Sequence, residues 1–157
     1  MGVSTNSRAL YFDTYDFIGP DNIPKWVDRG ADYDEWDLSP LIQDIETLQQ
    51  EGFDYIVLDY PFAYQHSGAN NYIDMVIFID TPLDIALGRR LIRDFSNRGQ
   101  QEILLDIDYY IKRGRSGYLE MLETIKPEAD VVIVGTLPVA EIVGEIIANI
   151  GRIKVKK

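Results

Sequence analysis

The sequence predicts an α/β fold, organised as a three-layer sandwich around a mostly parallel sheet. Short apolar runs alternate along the chain with longer segments of helical periodicity, which is the order of parallel βα units. The runs at 54–60, 74–80 and 129–135 are apolar at nearly every interior position, as in strands that are buried on both faces. Proline follows Ser39 and Thr81, and each of these pairs marks the start of a helix.

The first third of the chain is predicted to hold one strand and one helix. The strand lies at 8–13, and a polar, aromatic loop follows over 14–37, where prolines and glycines stop regular structure. Ser39 then caps a helix that has Pro40 at its first position and runs to Gly52.

The rest of the chain is predicted to place helices around the remaining strands. Thr81 caps a helix that begins with Pro82 and carries four arginines. Two further helices, at 102–112 and 118–125, are separated by a break in the glycine-containing stretch between them. An amphipathic helix at 138–151 follows the last strand.

The composition fits one globular domain over residues 1–157. The formal charge of −11 at pH 7 argues against a broad nucleic-acid-binding face, because such a face must neutralise phosphates. No stretch approaches the ~18 consecutive apolar residues of a membrane span, and the first residues do not form a secretion signal. The absence of cysteine excludes disulfides and thiolate metal sites. These features predict a cytoplasmic protein that contacts neither membranes nor nucleic acid.

The single histidine, His66, lies in a polar loop. Without partner ligands or a nearby nucleophile, it supports neither a zinc site nor a catalytic triad. We expect it to be a surface residue of that loop.

Acidic residues stand where predicted strands end. Asp13 and Asp59 close two strands, and Asp80 closes a third just before a helix. Ligands of parallel α/β sheets bind beyond the carboxyl ends of the strands, so these carboxylates are candidates for a ligand or metal site. The alternative is that each caps the turn or helix after it, and this alternative is favoured for Asp80.

Four arginines gather within a dozen residues of this acidic chain. Arg89 and Arg93 share a helical face by four-residue spacing, Arg90 and Arg93 share one by three-residue spacing, and Arg98 follows the helix. Guanidinium groups suit phosphate because their planar fork donates two parallel hydrogen bonds. The alternative is a solvated face paired with neighbouring acids such as Asp94.

Several motifs together resemble the uridine kinase family of P-loop kinases. The arginine segment is similar to the family's strand ending in FVDT and its RRxxRDxxxRGR helix, where the lid over ATP begins; here the helical lid region covers about 88–118. The matching stretches occur in the family's order over about 9–150 and read LYFDTYDF, DYDEWDLSPLIQDIETL, FDYIVLDYPFAY, IDTPLDIALGRRLIRDFSNRG and KPEADVVIVG.

The resemblance implies phosphoryl transfer from ATP, with Mg²⁺, to a hydroxyl of a nucleoside or similar small alcohol. Asp13 matches the catalytic residue that accepts the hydroxyl proton, and Asp59 matches the acid that helps to hold Mg²⁺. Arg93 and Arg98 match lid arginines that meet the triphosphate, and Arg89 belongs to the same lid group.

The resemblance also implies an acceptor-binding set. Arg90 matches a residue near the acceptor, and Tyr15 and Tyr60 are expected to stack on a flat acceptor. Asp32 or Asp34 is expected to bind sugar hydroxyls. Asp16 stands where the family has tyrosine and Tyr60 where it has glycine, so the acceptor need not be uridine.

The family's phosphate loop, G-x-x-x-x-G-K-[ST], is absent from the 157 residues, as is the strand that precedes it. In the family that strand lies between the strands matching 54–59 and 75–80. We therefore expect a truncated or degenerate relative, in which these two strands pair directly or leave a gap, and in which this chain alone is a weak kinase.

Two other interpretations of the sequence stay open. In the first, the chain is a non-catalytic binding or interaction module that keeps the kinase fold and forms a homo-oligomer through an exposed sheet edge. In the second, it is a phosphate-binding protein of unrelated ancestry. The last interpretation predicts that Asp13 and the arginines lie on opposite sides of the molecule.

Overall fold

The computed structural model describes residues 6–151. Across this range the chain forms four strands, β1 (Ser7–Tyr11), β2 (Tyr55–Asp59), β3 (Ile77–Asp80) and β4 (Val131–Val134), and six α-helices, α1 (Ile23–Asp28), α2 (Ser39–Glu51), α3 (Leu83–Phe95), α4 (Gln100–Tyr109), α5 (Arg115–Thr124) and α6 (Val139–Ile150). None of the helices between residues 6 and 151 has the length and apolar character needed to cross a membrane.

The strands form two parallel pairs, which confirms the α/β class with parallel strands. β1 pairs with β2, with Tyr11 opposite Asp59, and β3 pairs with β4, with Asp80 opposite Val134. Within the described range the two pairs are separate two-stranded sheets, so of the two expected alternatives, direct pairing of β2 with β3 or a gap, the direct pairing is not formed.

By its contacts the chain divides into two compact units. The first unit comprises described residues 6–21 and 32–73, and the second comprises 22–31 and 74–151. The first unit therefore holds β1, β2 and α2, and the second holds β3, β4 and the other five helices.

Helix α2 forms much of the core of the first unit. Leu41, Ile45 and Leu48 recur at helical spacing and are buried, so one face of the helix is apolar. Gly52 ends the helix in the left-handed conformation (φ 75°), which glycine adopts without steric cost. The predicted end of this helix is confirmed.

The predicted cap of α2 is wrong by one residue. Leu38 occupies the cap position, and Ser39 is already helical. The side chain that accepts hydrogen bonds here belongs to Asp37, whose Oδ1 takes the Ser39 backbone N–H at 3.0 Å and also the Ser39 hydroxyl. The Asp37 carboxylate, before the helix, therefore has the capping role that was predicted for Ser39.

The first strand also ends earlier than predicted. β1 stops at Tyr11, and Asp13 lies in a 3₁₀ turn, Phe12–Thr14. The Thr14 hydroxyl donates to the Tyr11 carbonyl at 2.7 Å, and the Tyr15 backbone N–H donates to the Phe12 carbonyl at 3.1 Å. These two local bonds turn the chain away from the sheet before Asp13.

Helix α1 lies inside the stretch predicted to be a loop. Asn22 caps it by accepting the Lys25 backbone N–H at 3.0 Å, and Pro24 stands in its first turn. Trp26 is buried, and the helix packs against α5. The prolines of this segment therefore begin a helix as well as interrupting regular structure.

The second unit is built on β3 and β4, where Ile133 is fully buried. Thr81 does not cap α3, because the cap position belongs to Pro82 and no side chain bonds to the helix start. Asp80 accepts a hydrogen bond from Lys126 Nζ at 2.7 Å, so this carboxylate has a structural partner.

The predicted break between two helices is a π-helical turn, Tyr110–Gly114, which joins α4 to α5. Tyr110 is buried and its ring centroid lies 5.8 Å from that of Tyr118, so packing holds the chain helical across the turn. The region predicted as a lid, 88–118, is helical over most of its length, and its movement stays a prediction.

Replacing Gly135 by alanine is expected to destabilise the second unit. A Cβ atom at this position would lie 1.9 Å from Thr81 Oγ1 and 3.0 Å from both Thr81 Cβ and Ile79 Cγ2. Rotation of the hydroxyl cannot relieve the last two contacts, so we expect a loss of about 1–3 kcal/mol in the free energy of unfolding, measured by urea denaturation.

The matched control is Gly144→Ala on α6, where an added Cβ meets no atom within 4 Å. Alanine is preferred over glycine inside a helix by about 0.5–1 kcal/mol, so this variant should be slightly more stable. Equal stabilities for the two variants would contradict the tight contact at Gly135.

Candidate active site

The carboxyl edge of the first unit brings two predicted acids to one end of a parallel strand pair. Asp59 is the last residue of β2 and lies opposite Tyr11, and Asp13 follows Tyr11 by two residues. Parallel neighbours lie about 4.8 Å apart, so both residues belong to the same edge. Both are exposed, and neither carboxylate has a hydrogen bond or ion pair with any residue in the described range.

An aromatic cluster supports this edge. Phe62 is its centre, 6% exposed, with ring centroids within 5.2–5.4 Å in four directions; these neighbours are Phe12, Tyr33, Trp36 and Tyr60. Phe12 directly precedes Asp13, and Tyr60 directly follows Asp59. The buried rings therefore hold the backbone on which the two carboxylates stand.

Trp36 packs closely against Gly19. A Cβ atom on Gly19 would lie 2.5 Å from the Trp36 ring, so only glycine allows the indole to sit there. The Asp37 backbone N–H donates to the Ile18 carbonyl at 2.8 Å beside this contact. The segments around Gly19 and Trp36 are thereby joined.

His66 is buried, 7% exposed, and the prediction that it lies on the surface is wrong. Its Nδ1 lies 3.1 Å from the Gly68 nitrogen and 3.2 Å from the Ala69 nitrogen, and its Nε2 lies 2.9 Å from the Trp36 carbonyl oxygen. Backbone N–H groups only donate, so the network assigns Nδ1 as the acceptor and Nε2–H as the donor. The histidine joins the loop after β2 to the Trp36 segment.

Asp32 and Asp34 have separate structural contacts. Asp32 Oδ1 accepts the Asp34 backbone N–H at 3.1 Å and caps a 3₁₀ turn, Tyr33–Glu35. Asp34 Oδ1 accepts the Ser67 backbone N–H at 2.7 Å, and hydrogen bonds from Ser67 hold the pKa of the Asp34 carboxyl below its usual value. Asp34 is therefore a negative charge fixed beside the His66 loop.

An open groove of about 440 Å³ lies in the first unit between these segments. Its lining includes Asp34, Trp36, Asp37, Ser39, His66 and Ser67. The lining combines carboxylates, hydroxyls and an indole ring, which suits a small polar molecule. Of the predicted acceptor-binding residues, Asp34 is the one that lines this groove.

The remaining predicted acceptor-binding residues of the first unit are Tyr15, Asp16 and Tyr60. The Tyr15 hydroxyl donates to Asp44 Oδ2 at 2.7 Å, and its ring stacks on Phe17 at 5.1 Å. Burial, together with this bond to Asp44, raises the pKa of Tyr15 to about 12. One face of the Tyr15 ring is therefore occupied, and Asp16 is exposed.

Two polar atoms of the aromatic cluster are buried without any hydrogen-bond partner, Trp36 Nε1 and the Tyr60 hydroxyl. Burial, and then the charge of Asp34, raise the pKa of Tyr60 well above its usual value. The sequence identified Tyr60 through its place after Asp59. Nothing in the local pattern singled out Trp36, whose importance comes from its contacts with distant segments.

The four arginines lie in the second unit, and each has a partner there. Arg89 donates to the Gly135 carbonyl at 2.7 Å, and Arg90 forms a two-pronged ion pair with Asp106 that links α3 to α4. The hydrogen bonds from Asp106 raise the pKa of Arg90. These two side chains are part of the packing of their unit.

Arg93 and Arg98 are more exposed. Arg93 pairs with Asp94, with Nε 2.6 Å from Oδ1, and Arg98 lies 3.8 Å from Glu102 and over the ring of Phe95. Exposed ion pairs of this kind contribute little, about 0–1 kcal/mol, so either arginine can exchange its partner for another anion. The roles predicted for all four arginines stay predictions.

The parallel βα units, with acids at their strand ends and an arginine-bearing helix, define an α/β protein of P-loop-kinase type. The chain belongs to the Phosphoribulokinase / Uridine kinase family, whose sequence profile matches residues 15–142. The match extends over both units and includes Asp59 and all four arginines.

Individual relatives agree with this assignment. The uridine kinase of Borrelia duttonii (strain Ly) is 35% identical over 88 residues, which are 56% of this chain and 42% of that protein. The uridine kinase of Psychromonas ingrahamii is 39% identical over 80 residues, covering 50% and 36%, and that of Borreliella burgdorferi (strain ZS7) is 37% identical over 78 residues, covering 50% and 37%. The chain therefore spans less than half of the length of these curated relatives.

The chemistry of the strand-end acids fits the Mg²⁺ ion that such kinases imply. Mg²⁺ takes oxygen ligands, and it is usually held by one or two carboxylates together with waters and substrate phosphates. Asp13 and Asp59 supply two such carboxylates. In residues 6–151 no three His, Cys, Asp or Glu side chains form a group that could hold a metal, so the phosphates would have to complete the site.

Replacing His66 by alanine is expected to destabilise the groove. The change leaves the Trp36 carbonyl and the Gly68 backbone N–H without their partner, each of which costs about 1–3 kcal/mol if water does not replace it, whereas the Ala69 N–H keeps its bond to the backbone carbonyl of residue 66. We expect a loss of at least about 1 kcal/mol in the free energy of unfolding, measured by urea denaturation followed by tryptophan fluorescence.

A matched control is Asn71→Ala, later in the same segment between β2 and β3. The Asn71 side chain is exposed and has no hydrogen bond to any residue of the described range, so a smaller loss is expected. A His66→Ala variant as stable as the unchanged protein would show that the imidazole does not hold the two segments together.

Proposed function

We propose that this chain carries the acceptor side of an ATP-dependent phosphotransferase that acts on a nucleoside or similar small alcohol. The observation that carries the proposal is the pair of carboxylates, Asp13 and Asp59, at one edge of a parallel strand pair, neither of which has a partner among residues 6–151. Membership of the Phosphoribulokinase / Uridine kinase family supports the phosphotransferase class.

Asp13 is proposed as the general base. It accepts the proton of the acceptor hydroxyl while the hydroxyl oxygen forms a bond to the γ-phosphorus of ATP, and the bond from that phosphorus to the β–γ bridging oxygen breaks to release ADP. The Asp13 carboxylate is exposed and has no hydrogen bond or ion pair within the part of the chain that the structure describes, which suits it to accept this proton. Its place in a tight turn behind Phe12 restricts its position.

Asp59 is proposed to hold Mg²⁺, through water or directly, together with the phosphates of ATP. The bound ion would supply positive charge to the phosphate oxygens. Its neighbour Tyr60 is anchored in the aromatic cluster, which fixes the direction in which the Asp59 carboxylate leaves the strand.

Arg93 and Arg98 are proposed to leave Asp94 and Glu102 and to bind phosphate oxygens of ATP. Phosphates accept two-pronged hydrogen bonds from guanidinium groups, and the present pairs are exposed. Arg90 is proposed to act near the acceptor, and Arg89 to shape the same helix through its bond to the Gly135 carbonyl.

The acceptor is proposed to lie in the groove of the first unit, with its hydroxyls on Asp34. Tyr15, Asp16 and Asp32 remain candidates for its outer contacts. The groove is large enough for one small molecule, and Asp34 stays ionised there because of its bonds to Ser67. Because kinases of this class use ATP, we propose a cytoplasmic location.

These 157 residues contain no G-x-x-x-x-G-K-[ST] loop. Such a loop supplies a backbone cradle and a lysine for the phosphates. We therefore propose that this chain alone binds Mg-ATP weakly. We also propose that the absence of the loop from these residues weakens acceptor binding in the groove less than it weakens Mg-ATP binding.

Replacing Asp13 by asparagine should lower kcat for ADP formation with uridine as the acceptor by about 10²–10⁴-fold, because the base is lost. The assay follows ADP release at saturating Mg-ATP and detects phosphorylated uridine by mass spectrometry. Asp21→Asn, an exposed acid of the same unit, is the control and should keep full activity. An Asp13→Asn variant as active as the control would remove Asp13 from the mechanism.

A non-catalytic module is the second candidate, favoured by the missing phosphate loop and by the internal partners of Arg89 and Arg90. Such a module also accommodates a homo-oligomer. Calorimetric titration with Mg-ATP separates the two candidates. Binding that is lost in Arg93→Ala and kept in Arg113→Ala supports the kinase; uridine binding without any Mg-ATP binding or ADP formation supports the module.

A further inference from the structure

His66 is a buried titratable residue that the proposed chemistry does not use. Its ring is bonded at both nitrogens: Nε2–H donates to the Trp36 carbonyl, and Nδ1 accepts the backbone N–H groups of Gly68 and Ala69. The two bonds at Nδ1 need the uncharged ring, because a protonated Nδ1 carries a hydrogen and can only donate. Imidazole changes its charge between about pH 5 and 8, so these two bonds are sensitive to pH.

A carboxylate stands beside Nδ1 without bonding to it. Asp34 Oδ1 lies 3.9 Å from His66 Nδ1, which is too long for a hydrogen bond, and it accepts the Ser67 backbone N–H at 2.7 Å instead. Ser67 lies between His66 and Gly68, so the bond from the Gly68 N–H to Nδ1 holds the turn that presents the Ser67 N–H to Asp34. The imidazole thus positions the backbone group that binds the Asp34 carboxylate.

The charged groups that line the groove together with the imidazole are carboxylates. Within the described range they are Asp34, Glu35 and Asp37. Helix α2 contributes uncharged lining residues, Ser39 and Ile42. Hydrogen bonds from neighbouring serines hold the pKa of Asp34 and that of Asp37 below their usual values, so both are ionised where imidazole takes up its proton. A proton on the ring is therefore added to a negatively charged lining.

We propose that His66 is a pH-operated switch of the groove. When a proton from solvent binds Nδ1, the Gly68 N–H loses its acceptor, and Nδ1–H donates instead to Asp34 Oδ1, which releases the Ser67 N–H. The Ala69 N–H keeps its bond to the His66 carbonyl, so the change is confined to Ser67 and Gly68. The Asp34 side chain is 48% exposed, and closing its 3.9 Å gap to hydrogen-bond length takes about 1 Å of movement.

Protonation takes the charge of Asp34 away from a bound ligand. The ion pair with the ring neutralises this carboxylate, so a ligand that donates to Asp34 must compete with the imidazolium. One pH unit below the midpoint, about a tenth of the molecules keep the uncharged ring, and the affinity of such a ligand falls about tenfold. The switch belongs to the protein alone, whereas its effect on an acceptor rests on the proposed function.

The test is an NMR titration of the full chain, labelled with ¹⁵N, between about pH 8 and pH 5. The backbone amide signals of Ser67 and Gly68 should shift with the same midpoint as the ring nitrogens of His66. His66→Asn is the matched variant, because an asparagine oxygen accepts the N–H two residues on in turns and takes up no proton in this range. In this variant the Ser67 and Gly68 signals should stay constant.

Asp34→Asn tests the partner of the charged ring. The asparagine oxygen can still accept the Ser67 N–H, but the negative charge beside Nδ1 is lost, so the midpoint of the His66 titration should fall by about one pH unit. Asp44→Asn removes an equal charge from α2, where Asp44 bonds to the Tyr15 hydroxyl and does not line the groove, and it should leave the midpoint unchanged. This comparison decides the matter even if His66→Asn does not fold.

The outcomes separate this inference from the proposed function. A ring that stays uncharged down to pH 5, amide signals that do not follow the ring, or a midpoint that is the same in Asp34→Asn would each overturn the switch, whatever the protein binds. Calorimetric titration with uridine should show affinity falling about tenfold one pH unit below the midpoint, and a constant affinity across the midpoint would overturn the effect on the groove. If uridine does not bind at any pH while the signals titrate as expected, the proposed acceptor is overturned and the switch stands.

Discussion

The packing of Phe62 inside a shell of aromatic rings is the contact on which the first unit depends. The shell draws rings from the turn after β1, from the segment around Trp36 and from the end of β2. Burying one such side chain removes about 150–250 Å² from water, more than any single hydrogen bond in the unit can match in free energy. Because Phe12 and Tyr60 belong to this shell, the same burial positions Asp59 at the end of β2 and Asp13 in the turn after β1. Core and candidate site are thus one structure.

The second unit closes its strand ends by different means. Gly135 lies tightly against Thr81, its carbonyl accepts a hydrogen bond from Arg89, and Asp80 pairs with Lys126. Polar contacts therefore hold the strand ends in place in this unit, whereas aromatic burial holds them in place in the other. The same contacts divide the arginine cluster: Arg89 and Arg90 hold the second unit together, whereas Arg93 and Arg98 form exposed ion pairs. Like charges that are close in the sequence can therefore have different structural environments.

Much of the fold was readable from local patterns, because burial on both faces and helix-ending glycines leave marks within a few residues. The β2, β3 and β4 strands and the end of α2 at Gly52 were predicted in this way. Helix α1 was missed because its proline was interpreted as a breaker, although Asn22 before it is a start signal. His66 and Trp36 were beyond local reasoning, since their roles come from contacts about thirty residues away. That Asp13 and Asp59 lie at one edge could be predicted because parallel strands bring their carboxyl ends together, whereas the roles of these acids stay predictions.

The two separate strand pairs leave each strand with an unpaired side within the described range. Val57 of β2 and Val134 of β4 are more than half exposed, at 53% and 54%. Bare backbone beside apolar surface invites copies of a chain to stick to one another. The formal charge of −11 opposes that encounter, since like-charged molecules repel at low and moderate ionic strength. The negative charge of this chain therefore opposes self-association through the unpaired strand edges, and this repulsion weakens as salt screens the charge.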